Sequence, residues 1–324
     1  MLARVGQRAA AGAAVVAGVV TLTFFLLHLA PGDPAARLLG PAASETQLAV
    51  QRHALGLDRP LGLQYLAWLG GFARGDWGRS IATGRPVAEL LRDAIPATVE
   101  LVGLSLLLSY GLGLVVGALQ AAAGARVDTL LSVATVTLFA LPGYWLGLML
   151  VMALTYGARW LPAFGAAGLD VESLTGWARL GDALRHLALP LATLTLIGVG
   201  GTARFVRGAM LDARRQPFVR TAEAKGLSAW QVTRHHVARH AVVPVVTLLG
   251  LSLPTLFSGA VFVEAVFAWP GMGRRLVEAV QARDYPVVMA ATAVSALLVV
   301  VGNLVADATL SWIDPRLRRG LRVS

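Results

Sequence analysis

Six stretches of the chain run free of Asp, Glu, Lys and Arg: Ala9–Ala30, Leu101–Ala125, Thr129–Ala158, Leu187–Ala203, Ala241–Val263 and Pro286–Ala306. Their lengths exceed the roughly 9–11 residues of a membrane barrel strand and suit the helix of about 20 residues that crosses a hydrocarbon core of about 30 Å. A helix also closes all its own backbone hydrogen bonds where no water can do so. The pattern predicts an all-α membrane protein with six transmembrane helices. The fourth stretch has only seventeen residues, and it reaches the interface because Arg204 or Arg207 can extend a charged head from an apolar stem. The first is too long for the apolar core of a signal peptide, and Pro31-Gly32-Asp33-Pro34 is not a small-residue cleavage site. It is expected to stay as a helix.

The connections between these stretches set the organisation. Pro31–Ala94 separates the first two helices and is the longest of them; its helical patterning around Ser44–Leu55, with Ser44 as N-cap, predicts a small folded cap. The chain therefore divides into 1–94, the first helix plus an extracytoplasmic insertion, and 95–324, a core of five helices with a cytoplasmic loop at 209–240. Orientation follows from basic residues, which are retained in short cytoplasmic loops. An internal N-terminus places fifteen basic and four acidic residues on the cytoplasmic side, against thirteen and twelve outside. Both termini are then cytoplasmic. Glycines inside the spans, Gly111, Gly113, Gly117, Gly198, Gly200 and Gly201, are expected to mark faces where helices approach closely.

Composition agrees with the pattern. The chain of 324 residues is 56% hydrophobic and 14% charged, where a soluble domain carries about 25% charged residues. Its net charge of +10 sits on loops between spans, so topology explains it without nucleic acid. Cysteine is absent, which excludes disulfides and thiolate metal sites.

Candidate chemistry is sparse. A phosphate-binding P-loop needs Lys followed by Ser or Thr, and the single lysine, Lys225, precedes Gly226. An ATP-driven process must therefore use separate ATPase subunits, with ATP and magnesium bound by those partners and no cofactor in this chain. His235, His236 and His240 have helical spacing but no acidic neighbour, and Arg234 and Arg239 repel a cation, so no metal site is assigned. Glu100 and Asp307 fall near span ends and are expected to be interfacial. No nucleophile with a partnering base has recognisable spacing, and no catalytic residue is assigned.

The informative segment lies between the fourth and fifth spans. Pro217–Ala224 is expected to form a short helix that Lys225-Gly226 ends, because glycine accepts the left-handed backbone of a helix C-cap. Ser228 can cap a second helix running through His240. A short helix, a glycine break and a second helix make a rigid knob able to pass a rigid-body push to the attached spans. An ordinary basic loop is the alternative on these residues alone.

Nine segments in order along the chain resemble the permease subunits of dipeptide and oligopeptide importers of the ATP-binding-cassette (ABC) type. They are Pro31-Gly32-Asp33-Pro34; Leu55-Gly56-Leu57-Asp58 with Pro60, Gln64 and Tyr65; Gly75-Asp76 with Gly78 and Ser80; Pro96-Ala97-Thr98 with Glu100 and Leu101; Phe218 to Leu227; Pro244-Val245-Val246-Thr247; Trp269-Pro270-Gly271-Met272-Gly273; Arg283-Asp284-Tyr285-Pro286-Val287-Val288; and Asp314-Pro315-Arg316. The resemblance implies the type I, MetI-like permease fold with an outer insertion between helices 1 and 2, in a bacterial cytoplasmic membrane. It implies a second, similar permease, two ABC ATPases and an external solute-binding protein as partners, and a peptide as cargo. It places Arg220, Thr221, Ala222, Glu223, Ala224, Lys225 and Gly226 on the ATPase-coupling loop and leaves the substrate path unassigned. The general importer loop begins Glu-Ala-Ala and ends Leu-Pro; here Arg220 and Thr221 hold the first places and Ala238-Arg239 the last, as the peptide branch tolerates. His240 stands where the family usually has Asn. The same family carries nickel chelates, glutathione and other small solutes, so these stay open as cargo. An ion-coupled transporter acting alone needs charges deep in the spans, and a membrane enzyme needs a constellation of catalytic groups; the sequence supports neither.

Overall fold

The computed structural model describes residues 2–29, 32–40, 42–238, 257 and 259–313. Long apolar helices occupy four of the predicted spans, numbered here in chain order: α1 (Leu2–Leu29), α5 (Val87–Ala122), α8 (Gly176–Arg214) and α12 (Tyr285–Ile313). Most of the fifth predicted span, Ala241–Val263, lies outside the described residues; 259–266 is helical.

The third departs from expectation. Thr129–Ala158, predicted as one span, is α6 (Ala125–Ala140) followed by α7 (Gly143–Leu150), which continues as a π-helix over Val151–Gly157. The two parts are bent by 107°. Pro142 accounts for the break, because its ring disfavours helical backbone in the residue before it. Leu141 is accordingly extended, with φ −72° and ψ 135°.

The chain forms two compact units. One comprises Met1–Val99 with Pro270–Val300. Its insertion holds three helices, α2 (Pro34–Leu39), α3 (Glu45–Ala54) and α4 (Leu61–Ala73). Asp33 caps α2 by accepting the Ala35 N–H at 2.9 Å and receives the Arg52 Nε–H from α3 at 2.6 Å. Ser44 caps α3 as predicted, in a reciprocal box with Gln47. Helix α4 packs Tyr65, Trp68 and Phe72 beside Val20 and Phe24 of α1 and Met289 and Ala293 of α12. The unit's main core joins Leu90, Leu91 and Ala94 of α5 to Ala279 of α11 (Met272–Ala282) and to Val287, Ala290 and Ala291 of α12.

The other unit comprises Glu100–Trp269 with Val301–Ser324. Here α8 lies against α5 and α6 at glycines. A Cβ on Gly117 would stand 2.5 Å from the Ala203 carbonyl, and one on Gly200 would stand 2.6 Å from that of Thr135. Gly113 and Gly198 are similarly closed by Thr202 and Ser109, while a Cβ on Gly111 meets nothing within 4 Å among the described residues of this chain. Arg207 binds Asp128 through two bonds of 2.6 Å, which ties α8 to the first turn of α6, and Arg204 lies over the Phe139 ring. Glu100 is exposed within α5, one residue before the apolar stretch that begins at Leu101.

Candidate functional site

The predicted knob forms at the end of α8. Pro217 opens α9 (Pro217–Ala224), a position where its missing N–H costs nothing. The helix ends in a Schellman motif: the Leu227 N–H reaches the Ala222 carbonyl at 3.4 Å and the Gly226 N–H reaches that of Glu223 at 2.9 Å. Gly226 has φ +79°, the left-handed region, and no atom stands within 4 Å of where a Cβ would go. Glycine is required there by backbone conformation, not by space.

Ser228 then starts α10 (Ala229–Val232), with its Oγ accepting the Gln231 N–H at 3.3 Å while Gln231 Oε1 accepts the Ser228 N–H at 2.9 Å. The helix continues as a π-turn over Thr233–Val237, where Thr233 Oγ1 receives a bond of 3.2 Å from Arg214 Nη2 of α8. Val219 and Ala222 of α9 and Val232 and Val237 beyond it share one buried cluster with Val206, Met210 and Ala213 of α8. Two short helices are thereby fixed to a long one.

Of the seven predicted residues, Arg220, Thr221, Glu223, Ala224, Lys225 and Gly226 are exposed and Ala222 is buried. Ala222 anchors the knob, and the other six form a surface. Sequence reasoning did not single out Trp230, which is 68% exposed on α10. His235 Nδ1 lies 3.2 Å from the Gln231 carbonyl. Among the described residues no three His, Cys, Asp or Glu could hold a metal ion, and His240 lies outside them.

A second constellation lies in the unit that holds the insertion. Asp284, 2% exposed, precedes α12, and its carboxylate accepts the Ser80 hydroxyl and the N–H groups of Ile81 at 3.0 Å and Ala82 at 3.2 Å. These donors offset part of the cost of burying an ionisable group. Ser80 and Asp284 stand in separate sequence motifs, and no periodicity links them. Nearby is a cavity of about 250 Å³ walled by Phe24, Trp68 and Tyr285, with His28, Arg59 and Arg79 among its polar lining.

Two family models match. An N-terminal model for membrane components of binding-protein-dependent transport systems covers residues 1–102, and the model described as binding-protein-dependent transport system inner membrane component covers 109–319. The chain belongs to this family. The permease is thus a non-catalytic, multi-pass component of a transport system, with the MetI-like fold. It is 42% identical over 94% of both chains to the probable D,D-dipeptide transport system permease protein DdpB of Escherichia coli. It is 36% identical to the oligopeptide transport system permease protein AppB of Bacillus subtilis, covering 98% of this chain and 99% of that one. The di/tripeptide transport system permease protein DppB of Pseudomonas aeruginosa is 37% identical, with 93% and 94% covered. A solved amino acid ABC transporter with histidines overlaps 70% of the permease and 94% of its own chain at 15% identity and a TM-score of 0.48, too distant a likeness to carry argument.

Proposed function

We propose that the permease is one of two membrane subunits of an ABC importer for dipeptides and short oligopeptides, and that α9 and the start of α10 form the surface gripped by a cytoplasmic ATPase. Its partners are a second permease, two ATPase subunits that bind ATP and magnesium, and a solute-binding protein outside the bacterial cytoplasmic membrane. The near full-length identity to three permeases named for peptide transport carries the choice of cargo. For the docking surface, the support is mechanical. A knob stapled to α8 by the shared core and by Arg214 transmits displacement to the helix instead of absorbing it. Both termini and the knob lie on the cytoplasmic side in this reading.

Uptake of labelled D-alanyl-D-alanine, L-dipeptides, longer peptides and nickel by cells lacking the permease, with and without the gene restored, tests the cargo. Peptide uptake that returns only with the gene and with an active ATPase partner supports the proposal. Return of nickel uptake alone keeps the machine and replaces its cargo.

A further inference from the structure

Helix α4 occupies the insertion, which the sequence pattern assigns to a small extracytoplasmic cap, but its own residues are those of a membrane. Its thirteen residues, Leu61–Ala73, contain no Asp, Glu, Lys or Arg. Charged residues bracket it closely, with Asp58 and Arg59 before and Arg74 and Asp76 after. A helix lying on protein in water keeps one polar face, whereas one that is apolar all round is enclosed by protein core or by lipid. Tyr65, Trp68 and Phe72 at i, i+3 and i+7 pack on α1 and α12. On other sides of α4, Leu63, Leu66 and Leu69 are 57%, 61% and 40% exposed. Among the described residues of the unit that contains α4, none covers them.

The depth of α4 indicates what does. Gln64 Oε1 lies 3.2 Å from His28 Nε2 at the end of α1, and the Tyr65 hydroxyl bonds the Thr21 hydroxyl at 2.7 Å. Thr21 is eight residues before Leu29, or about 12 Å along the helix at 1.5 Å per residue. Helix α1 itself exposes Leu22, Phe25 and Leu26 over this same stretch, so a lipid-facing surface already reaches the level of α4.

We infer that α4 is a membrane-embedded helix, seated in the leaflet at the C-terminal end of α1 with Leu63, Leu66 and Leu69 against acyl chains. At about 20 Å it is too short to span, and its charged flanks return the chain to the headgroups at both ends. The insertion is thereby anchored beside the first span at a level that does not depend on the transported solute.

The absence of native cysteine makes a direct test available. Single variants Leu63→Cys, Leu66→Cys and Leu69→Cys, with Glu45→Cys on exposed α3 as an aqueous reference, carry a nitroxide in the assembled transporter in phosphatidylethanolamine–phosphatidylglycerol nanodiscs. Power saturation reports collision with oxygen, which concentrates in lipid, and with a nickel chelate, which stays in water. The expected result is a several-fold higher oxygen-to-chelate ratio at the three leucine positions than at Glu45. Chelate-dominated collision there overturns the inference in favour of an aqueous cap. Low collision with both reagents overturns it in favour of cover by another subunit. Because cargo plays no part in the readout, failure here is separable from failure of the peptide assignment.

Discussion

Gly226 concentrates the mechanical demand on the knob into one backbone angle. Its φ of +79° costs a residue with a Cβ roughly 1–2 kcal/mol, and the empty space around it removes any steric alternative. Gly226→Val is expected to leave membrane insertion intact while transport and solute-stimulated ATP turnover of the assembled complex fall together; unaltered stimulation would rule out the coupling role. Asp284 carries a different burden. Asp284→Ala strands three donors of the Ser80–Ala82 turn, each at roughly 1–3 kcal/mol. The thermal midpoint of the purified permease should drop clearly, with Asp284→Asn in between because it keeps an acceptor oxygen. Gly226 was legible in sequence because its role is local to one helix end. The Asp284–Ser80 pairing was not, since it is made by tertiary contact between distant motifs.

At the scale of elements, local chemistry and tertiary packing divide the legible from the illegible in the same way. The caps at Ser44 and Ser228 and the end of α9 follow from side chains acting on backbone groups within a few residues. The break at Pro142 was hidden because charge-free continuity, the criterion that marks a span, is indifferent to a kink. Spacing alone does not say which glycines meet a helix of the same chain, as Gly117 does and Gly111 does not among the described residues. The difference is measurable. Gly117→Leu drives a side chain into the backbone of α8 at Ala203 and should lower stability by about 1–3 kcal/mol or more, whereas Gly111→Leu has room and should change the thermal midpoint little.

For the whole molecule, the exposed knob gives the transport reading a physical test. Trp230 makes no part of the buried cluster beneath it, so Trp230→Ala is expected to alter stability by less than about 0.5 kcal/mol. If α10 contributes to the gripped surface, the same variant should retain less ATPase in co-purification of the assembled complex. Unchanged retention confines the docking surface to α9. The bend between α6 and α7 also bears on how the polypeptide enters the bilayer during synthesis. At sixteen and fifteen residues, α6 and the α7–π segment are each shorter than the stretch of about 20 that a translocon accepts as a complete crossing. The emerging chain must hold this region in an unfinished state until α8 follows, when Gly200 and Arg207 supply the contacts that seat α6. Nascent chains ending before α8 should leave residues 125–157 accessible to glycosylation or proteolysis, and chains extended past Arg214 should protect them; biogenesis of this part of the permease is thus expected to be post-insertional, completed by a helix made later.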